Sequence, residues 1–197
     1  MDSGGIFMQP AVLQYINTVW GLVAIYWVVG MVLAKPAIKS ESLLSSTIHI
    51  VLGCAAVLLV WEPATGRGFL GHRLVSTADW TAWLGLAVTI GGCAFAVWAR
   101  AILGSNWSSL VTVKQDHELI LRGPYAVVRH PIYSGLLLAL TGTAIAVGEI
   151  RAFIGLGLAF MGFLLKSAAE EKFMREEFST EYARYSQRVR RLIPFVF

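Results

Sequence analysis

Two short stretches concentrate the groups able to do chemistry. The first, GPYAVVRHPIYSG (Gly123 to Gly135), sets Tyr125, Arg129, His130 and Tyr133 around two prolines. The second, KSAAEEKF, places Lys166 four residues before Glu170, with Glu171 beside it. Pro131 lacks an N–H and suits the first turn of a helix. The opening N–H groups of such a helix have no partner within it, and its dipole favours an anion. Gly123-Pro124 makes a turn that can bring Tyr125 back to the same end. Hydrogen-bond donors, aromatic faces and positive charge would then meet at one point, an arrangement suited to a charged cofactor. The plainer alternative is a basic, proline-initiated helix entrance with Arg129 reaching to lipid headgroups. Lys166 and Glu170 share a helix face. Carboxylates at a membrane border tend to be functional or paired, because burying one alone is expensive. An exposed salt bridge on a solvated helix is the alternative there.

Other candidates carry less. His117, in DHELI, stands where it can cap or contact such a site. His49 falls inside an apolar run and reads as a hydrogen-bonded interior histidine, while His72 sits in a loop. Cys54 and Cys93 lie in apolar runs without C-x-x-C spacing, so neither a disulfide framework nor a zinc site is expected. No His/Asp/Glu set has metal-ligand spacing, so no metal is expected. No G-x-S-x-G, Walker or G-x-G-x-x-G motif supports a nucleotide-binding α/β domain.

The elements that must position these residues follow from composition. Of 197 residues, 56% are hydrophobic and 14% charged, and the mean hydropathy is +0.65. A soluble domain carries about 25% charged residues. The chain therefore reads as an all-α integral membrane protein, a single domain over residues 1–197. A helix needs about 20 apolar residues to cross the hydrocarbon core. Five spans are expected, at about 11–34, 46–61, 80–103, 132–147 and 152–165, with Trp80 and Trp83 as interfacial anchors. The polar segment from Gly104 to Pro131 is too long for a tight connection, and segments of that length are usually functional or disordered. The GEIR turn should make spans four and five an antiparallel hairpin. Beyond Leu165, Met174, Phe178, Tyr182, Tyr185 and Val189 recur at helical spacing. The fifth helix should therefore continue out of the bilayer, or restart there, as a cytosolic amphipathic helix over about 166–192.

With five spans, Arg67, Arg73 and Arg151 lie on one side and the remaining thirteen of the 16 Lys and Arg on the other. That bias puts the C-terminus and both chemical stretches in the cytoplasm and the N-terminus outside. It also accounts for the net charge of +4 without nucleic-acid binding, for which no basic stripe is present. The opening residues lack a basic n-region, so no cleaved signal is expected. Gly91, Gly92, Gly142, Gly155, Gly157 and Gly162 should permit close helix packing.

The stretches LGSNWSSLVTV, HELILRGPYAVVRHPIYSG and EEKFMREEFSTEYARYSQRVRRLIPF occur in an order and spacing that resemble the isoprenylcysteine carboxyl methyltransferase family and its bacterial and archaeal relatives. The resemblance runs from about Leu103 to the C-terminus. It implies a membrane-embedded helical core with a cytosolic pocket between the loop before span four and the C-terminal helix. It implies S-adenosylmethionine as methyl donor, leaving S-adenosylhomocysteine. Carried over residue by residue, the cofactor contacts are His117, Glu118, Leu119, Ile120, Tyr125, His130, Pro131, Ile132, Tyr133 and Glu170. Thr112 stands where the eukaryotic enzymes have a glutamine contact. Lys166 stands where they have a substrate-associated arginine, keeping the charge without the bidentate fork. Lys166, Arg129 and Glu170 are the residues expected to serve the reaction.

Methyl transfer from a sulfonium is an in-line displacement that needs alignment and a desolvated nucleophile more than an acid–base pair. The expected acceptor is lipophilic, a carboxylate of the isoprenylcysteine type or a related thiol or amine, entering from the bilayer. Membrane sterol-type reductases that use NADPH share an R-H-P-x-Y stretch and a basic tail ending in IP; GPY before that stretch and the EE pair after span five favour the methyltransferase. A phospholipid N-methyltransferase and a non-catalytic scaffold or transporter complete the alternatives, although no discontinuous helices point to transport. The short chain suggests a prokaryotic cytoplasmic membrane. A monomer and an oligomer fit equally well.

Overall fold

The computed structural model describes residues 5–32, 37–40, 43–76, 78–104, 112–114 and 119–194. Five helices make the body: α1 (Gly5–Val32), α2 (Leu43–Trp61), α3 (Asp79–Leu103), α4 (Pro131–Val147) and α5 (Ile150–Arg188). Four contain segments long and apolar enough to cross a membrane, and α4 is a shorter apolar helix. At 1.5 Å per residue, the 17 residues of α4 span about 26 Å. The all-helical expectation holds for the core and gains one ribbon, the antiparallel strands β1 (Ala37–Ser40) and β2 (Thr112–Lys114). These strands follow α1 and α3, whose C-termini are tied by Arg100 donating to the carbonyls of Gly30 and Gly104.

Helices in lipid gain little from hydrophobicity and must pack through close contact. The α3–α4 seam achieves this with glycine. A Cβ at Gly92 would lie 2.3 Å from the Ala139 nitrogen, and one at Gly142 2.5 Å from the Gly85 carbonyl oxygen. Gly85 and Gly135 belong to this seam although the sequence did not single them out. Gly91 and Gly157, expected to pack, face open space instead. A buried polar thread crosses the bundle, with Trp20 Nε1 donating to Thr143 Oγ1 at 3.0 Å and Thr143 Oγ1 to the Ala139 carbonyl.

Gly148, at φ 73°, ends α4 in the left-handed conformation, and Glu149 opens α5. The two helices form the anticipated hairpin, yet α4 packs chiefly on α3 and α5 chiefly on α2. At this end Arg151 is buried, bonding Glu149 and the Leu59 and Val60 carbonyls that close α2. The α5 helix does not break where its apolar part ends at Leu165. Its one interruption is Ser179, at φ 29° and ψ −100°. Past that kink the chain folds back, burying Tyr182, Tyr185 and Leu192. That return brings the C-terminal segment against residues 125–134, at the end opposite Arg151.

Candidate functional site

The site is built on the first turn of α4 and the middle of α5. Pro131 starts α4 with His130 as its N-cap, and Tyr133 lies three residues on, over the same face. On α5, Phe163, Lys166 and Glu170 form a stripe at helical spacing. The stripe and the turn meet. The His130 and Tyr133 rings stack at 5.6 Å with 6° between planes, and Tyr133 stacks on Phe163 at 4.8 Å and 9°. The Lys166 Nζ lies 5.7 Å from the Tyr133 ring centroid. The Tyr133 hydroxyl donates to Glu170. Glu170 is thus no half of an exposed salt bridge: its other oxygen lies 3.2 Å from His130 Nδ1.

His130 is held from both sides, because its Nε2 lies 3.4 Å from Glu171. Burial disfavours the imidazolium, but the two carboxylates outweigh it and hold His130 above the ordinary histidine value. The positive charge expected at this helix entrance is therefore already matched by carboxylates from α5.

Glu171 is fully buried and receives Arg129, Arg191 and Arg175 at 2.9 to 3.0 Å. Arg129 also donates to the Ser186 and Val189 carbonyls. It does not reach outward to headgroups; it clamps the C-terminal segment to the helix entrance. The backbone completes the clamp, with the N–H groups of Arg129 and His130 donating to the Arg190 and Arg191 carbonyls at 2.8 and 3.0 Å. The Tyr185 hydroxyl donates to the Tyr125 carbonyl at 2.6 Å.

Of the residues singled out from sequence, His130, Tyr133, Lys166 and Glu170 converge. Tyr125 and Ile132 are buried together against Ala99 of α3, with Ile120 packed on them and half-buried Leu119 beside it in the chain. Burial, with Glu170 nearby, raises the Tyr125 phenol well above its usual range. Pro131 is fully buried. Thr112 is placed only as a residue of β2, and His117 and Glu118 lie outside the described residues. Arg129 serves Glu171 rather than the ring stack. Sequence reasoning missed Glu171 as a hub, and Phe163 and Arg191 altogether. The EE pair and the basic tail were the available signals. Among the described residues no group of three His, Cys, Asp or Glu could hold a metal ion.

A cavity of about 340 Å³ adjoins the stack, between α2, α4 and α5. Its walls are apolar, including Ile50, Val57, Leu136, Leu140 and Phe163, and Lys166 stands where they meet the polar cluster. Ile50 and Val57 are also exposed, so the cavity opens sideways, toward lipid in a bilayer.

A family model described as phospholipid methyltransferase matches residues 80–181. A protein-S-isoprenylcysteine O-methyltransferase of Arabidopsis thaliana is 29% identical over 59% of this chain and 61% of its own. Its counterpart in Tribolium castaneum is 33% identical over 59% of this chain and 43% of its own. The chain thus spans less than two thirds of the length of these relatives. The solved structure of a eukaryotic intramembrane Ras methyltransferase, isoprenylcysteine carboxyl methyltransferase, superposes with a TM-score of 0.55 at 25% identity, covering 81% of this chain and 55% of that one.

Proposed function

The chain belongs to the phospholipid methyltransferase family, and from that premise we propose that it transfers a methyl group from S-adenosylmethionine to a lipophilic, anionic acceptor at a membrane face. The observation that carries this reading is the junction itself. One residue, Tyr133, touches both the charged cluster through Glu170 and the apolar cavity wall through Phe163.

The residues fit the donor. Its sulfonium is a cation, and the Glu170 carboxylate with the Tyr133 and Phe163 rings beside it offers the charge and polarisability a cation favours. Ile120, Tyr125 and Ile132 supply an adjoining apolar wall. When bound, the donor supplies a methyl carbon whose bond to sulfur breaks as the bond to the acceptor forms, the electron pair passing to sulfur. The chain's own residues align and desolvate. Lys166 attracts the acceptor's negative charge to the cavity mouth. Glu171 and its arginines fix His130, and His130 with Tyr133 fixes Glu170. A carboxylate or thiolate acceptor needs no general base, which accords with a cluster whose acids and bases are already paired. Lys166 disfavours a protonated amine, and so an anionic acceptor of the kind named for the isoprenylcysteine relatives is preferred to a phospholipid amine.

We further place both chemical stretches on the cytoplasmic face, with α1 beginning outside. The test of the reaction is transfer of radiolabelled methyl from S-adenosylmethionine to S-farnesyl-N-acetylcysteine by the full chain in detergent. Base-labile incorporation, the mark of a methyl ester, is expected. Label found only in phospholipid would transfer the assignment to an amine acceptor.

A further inference from the structure

The apolar cavity has a second polar contribution, from a helix outside the family match at residues 80–181. Ser46 and His49, one turn apart on α2, line it together with Lys166 of α5. The register of the two helices shows where along the cavity they stand. A Cβ at Gly155 would lie 2.9 Å from the Ala56 oxygen and from Val60, and one at Gly162 would lie 3.5 Å from Leu52. The helices are therefore antiparallel, and each turn forward on α5 moves one turn back on α2. Lys166, a turn beyond Gly162, falls level with the turn before Leu52, which holds His49 with Ser46 a further turn on. The opposite end is closed by Trp20 and Trp61, packed edge to face at 5.5 Å. From Trp61 back to His49 is about 18 Å at 1.5 Å per residue. The cavity is thus a slot with an aromatic floor, apolar walls and a polar collar at the reaction end. An ionisable side chain within a membrane-spanning helix is expensive and marks function by default.

We propose that His49, with Ser46, is a specificity-determining element that joins Lys166 in holding the compact anionic head of the lipophilic acceptor. A lysine alone offers a point charge without directional recognition. An imidazole and a hydroxyl across the slot supply the directed hydrogen bonds that a guanidinium fork would otherwise give. The inference rests on reading the cavity as the acceptor site, and it assigns α2 to substrate selection.

The test titrates the full chain in detergent with S-farnesyl-N-acetylcysteine and with its neutral carboxamide, following tryptophan fluorescence, since Trp20 and Trp61 line the slot. S-adenosylmethionine affinity is measured separately by calorimetry. The wild type should prefer the acid. His49→Ala should weaken acid binding about tenfold, the lower end of the range for a lost hydrogen bond to a charged group, and leave the carboxamide and S-adenosylmethionine within about twofold. His49→Gln, which keeps a donor, should fall between. Equal weakening of both probes by His49→Ala, or of neither, overturns the proposal while leaving the methyltransferase reading intact. A wild type that binds acid and carboxamide alike overturns it too. Failure of S-adenosylmethionine to bind would count against the donor assignment instead, and the acid-to-carboxamide comparison would still decide the role of His49.

Discussion

At the residue scale the organising fact is that the neighbouring acids Glu170 and Glu171 do different work. Glu170 faces the ring stack, and Glu171 faces three arginines. Removing Glu171 takes the buried carboxylate away from Arg129, which is 11% exposed, and strips Arg191 and Arg175 of one partner, where breaking a buried pair costs about 3–5 kcal/mol. Because Arg175 is exposed and water can relax the site, the lower end of that range is expected for Glu171→Ala, read as a fall in the thermal midpoint in detergent. His130 gives a pH prediction. Its folded value is raised, so its contribution is fully present below the unfolded value of about 6.5. It is lost as pH rises through the folded value. Stability should therefore decline as pH rises from about 6.5 through that raised value, and His130→Asn should flatten that decline in thermal melts across pH. The Lys166–Glu170 face could be read from the sequence because it depends on local helical spacing. The Glu171 hub could not, because two of its three arginines, Arg129 and Arg191, lie 42 and 20 residues away along the chain.

At the element scale, the bundle depends on which glycines face a neighbour. Gly92→Leu should split the α3–α4 seam at a cost of about 1–3 kcal/mol, the range for overpacking. Gly91→Ala should be tolerated, since nothing lies within 4 Å of a Cβ there; paired thermal melts of the two variants check this. The sequence marked both glycines alike, because adjacent helical residues differ only in direction and the partner helix decides which direction is buried. Helix number and placement were legible from apolar run lengths, and the continuation of α5 from the spacing of Phe178, Tyr182 and Tyr185. The β1–β2 ribbon was not, since strands of 4 and 3 residues paired across distant loops leave no periodic trace.

At the scale of the whole molecule, the two ends differ in chemistry. One end gathers Arg129, His130, Glu170, Glu171 and Arg191; the other holds Arg73, Glu149 and Arg151. The basic bias predicts that the first end faces the cytoplasm. In a chain lacking Cys54 and Cys93, Arg67→Cys should react with an impermeant maleimide added outside cells, and Lys172→Cys only after permeabilisation. The reverse pattern would invert the topology. The proposed sidedness rests on charge counting in the sequence, whereas the meeting of the polar end with the α2–α5 slot required the packing of helices far apart in sequence.

The most direct test of the central claim is calorimetric titration of S-adenosylmethionine into the purified full chain and its Glu170→Gln variant. Saturable binding to the wild type is predicted, weakened about tenfold or more in the variant, in keeping with loss of a charge-assisted contact worth about 1.5–3 kcal/mol. Equal affinity in the two proteins, or binding of NADPH in place of S-adenosylmethionine, would contradict the account.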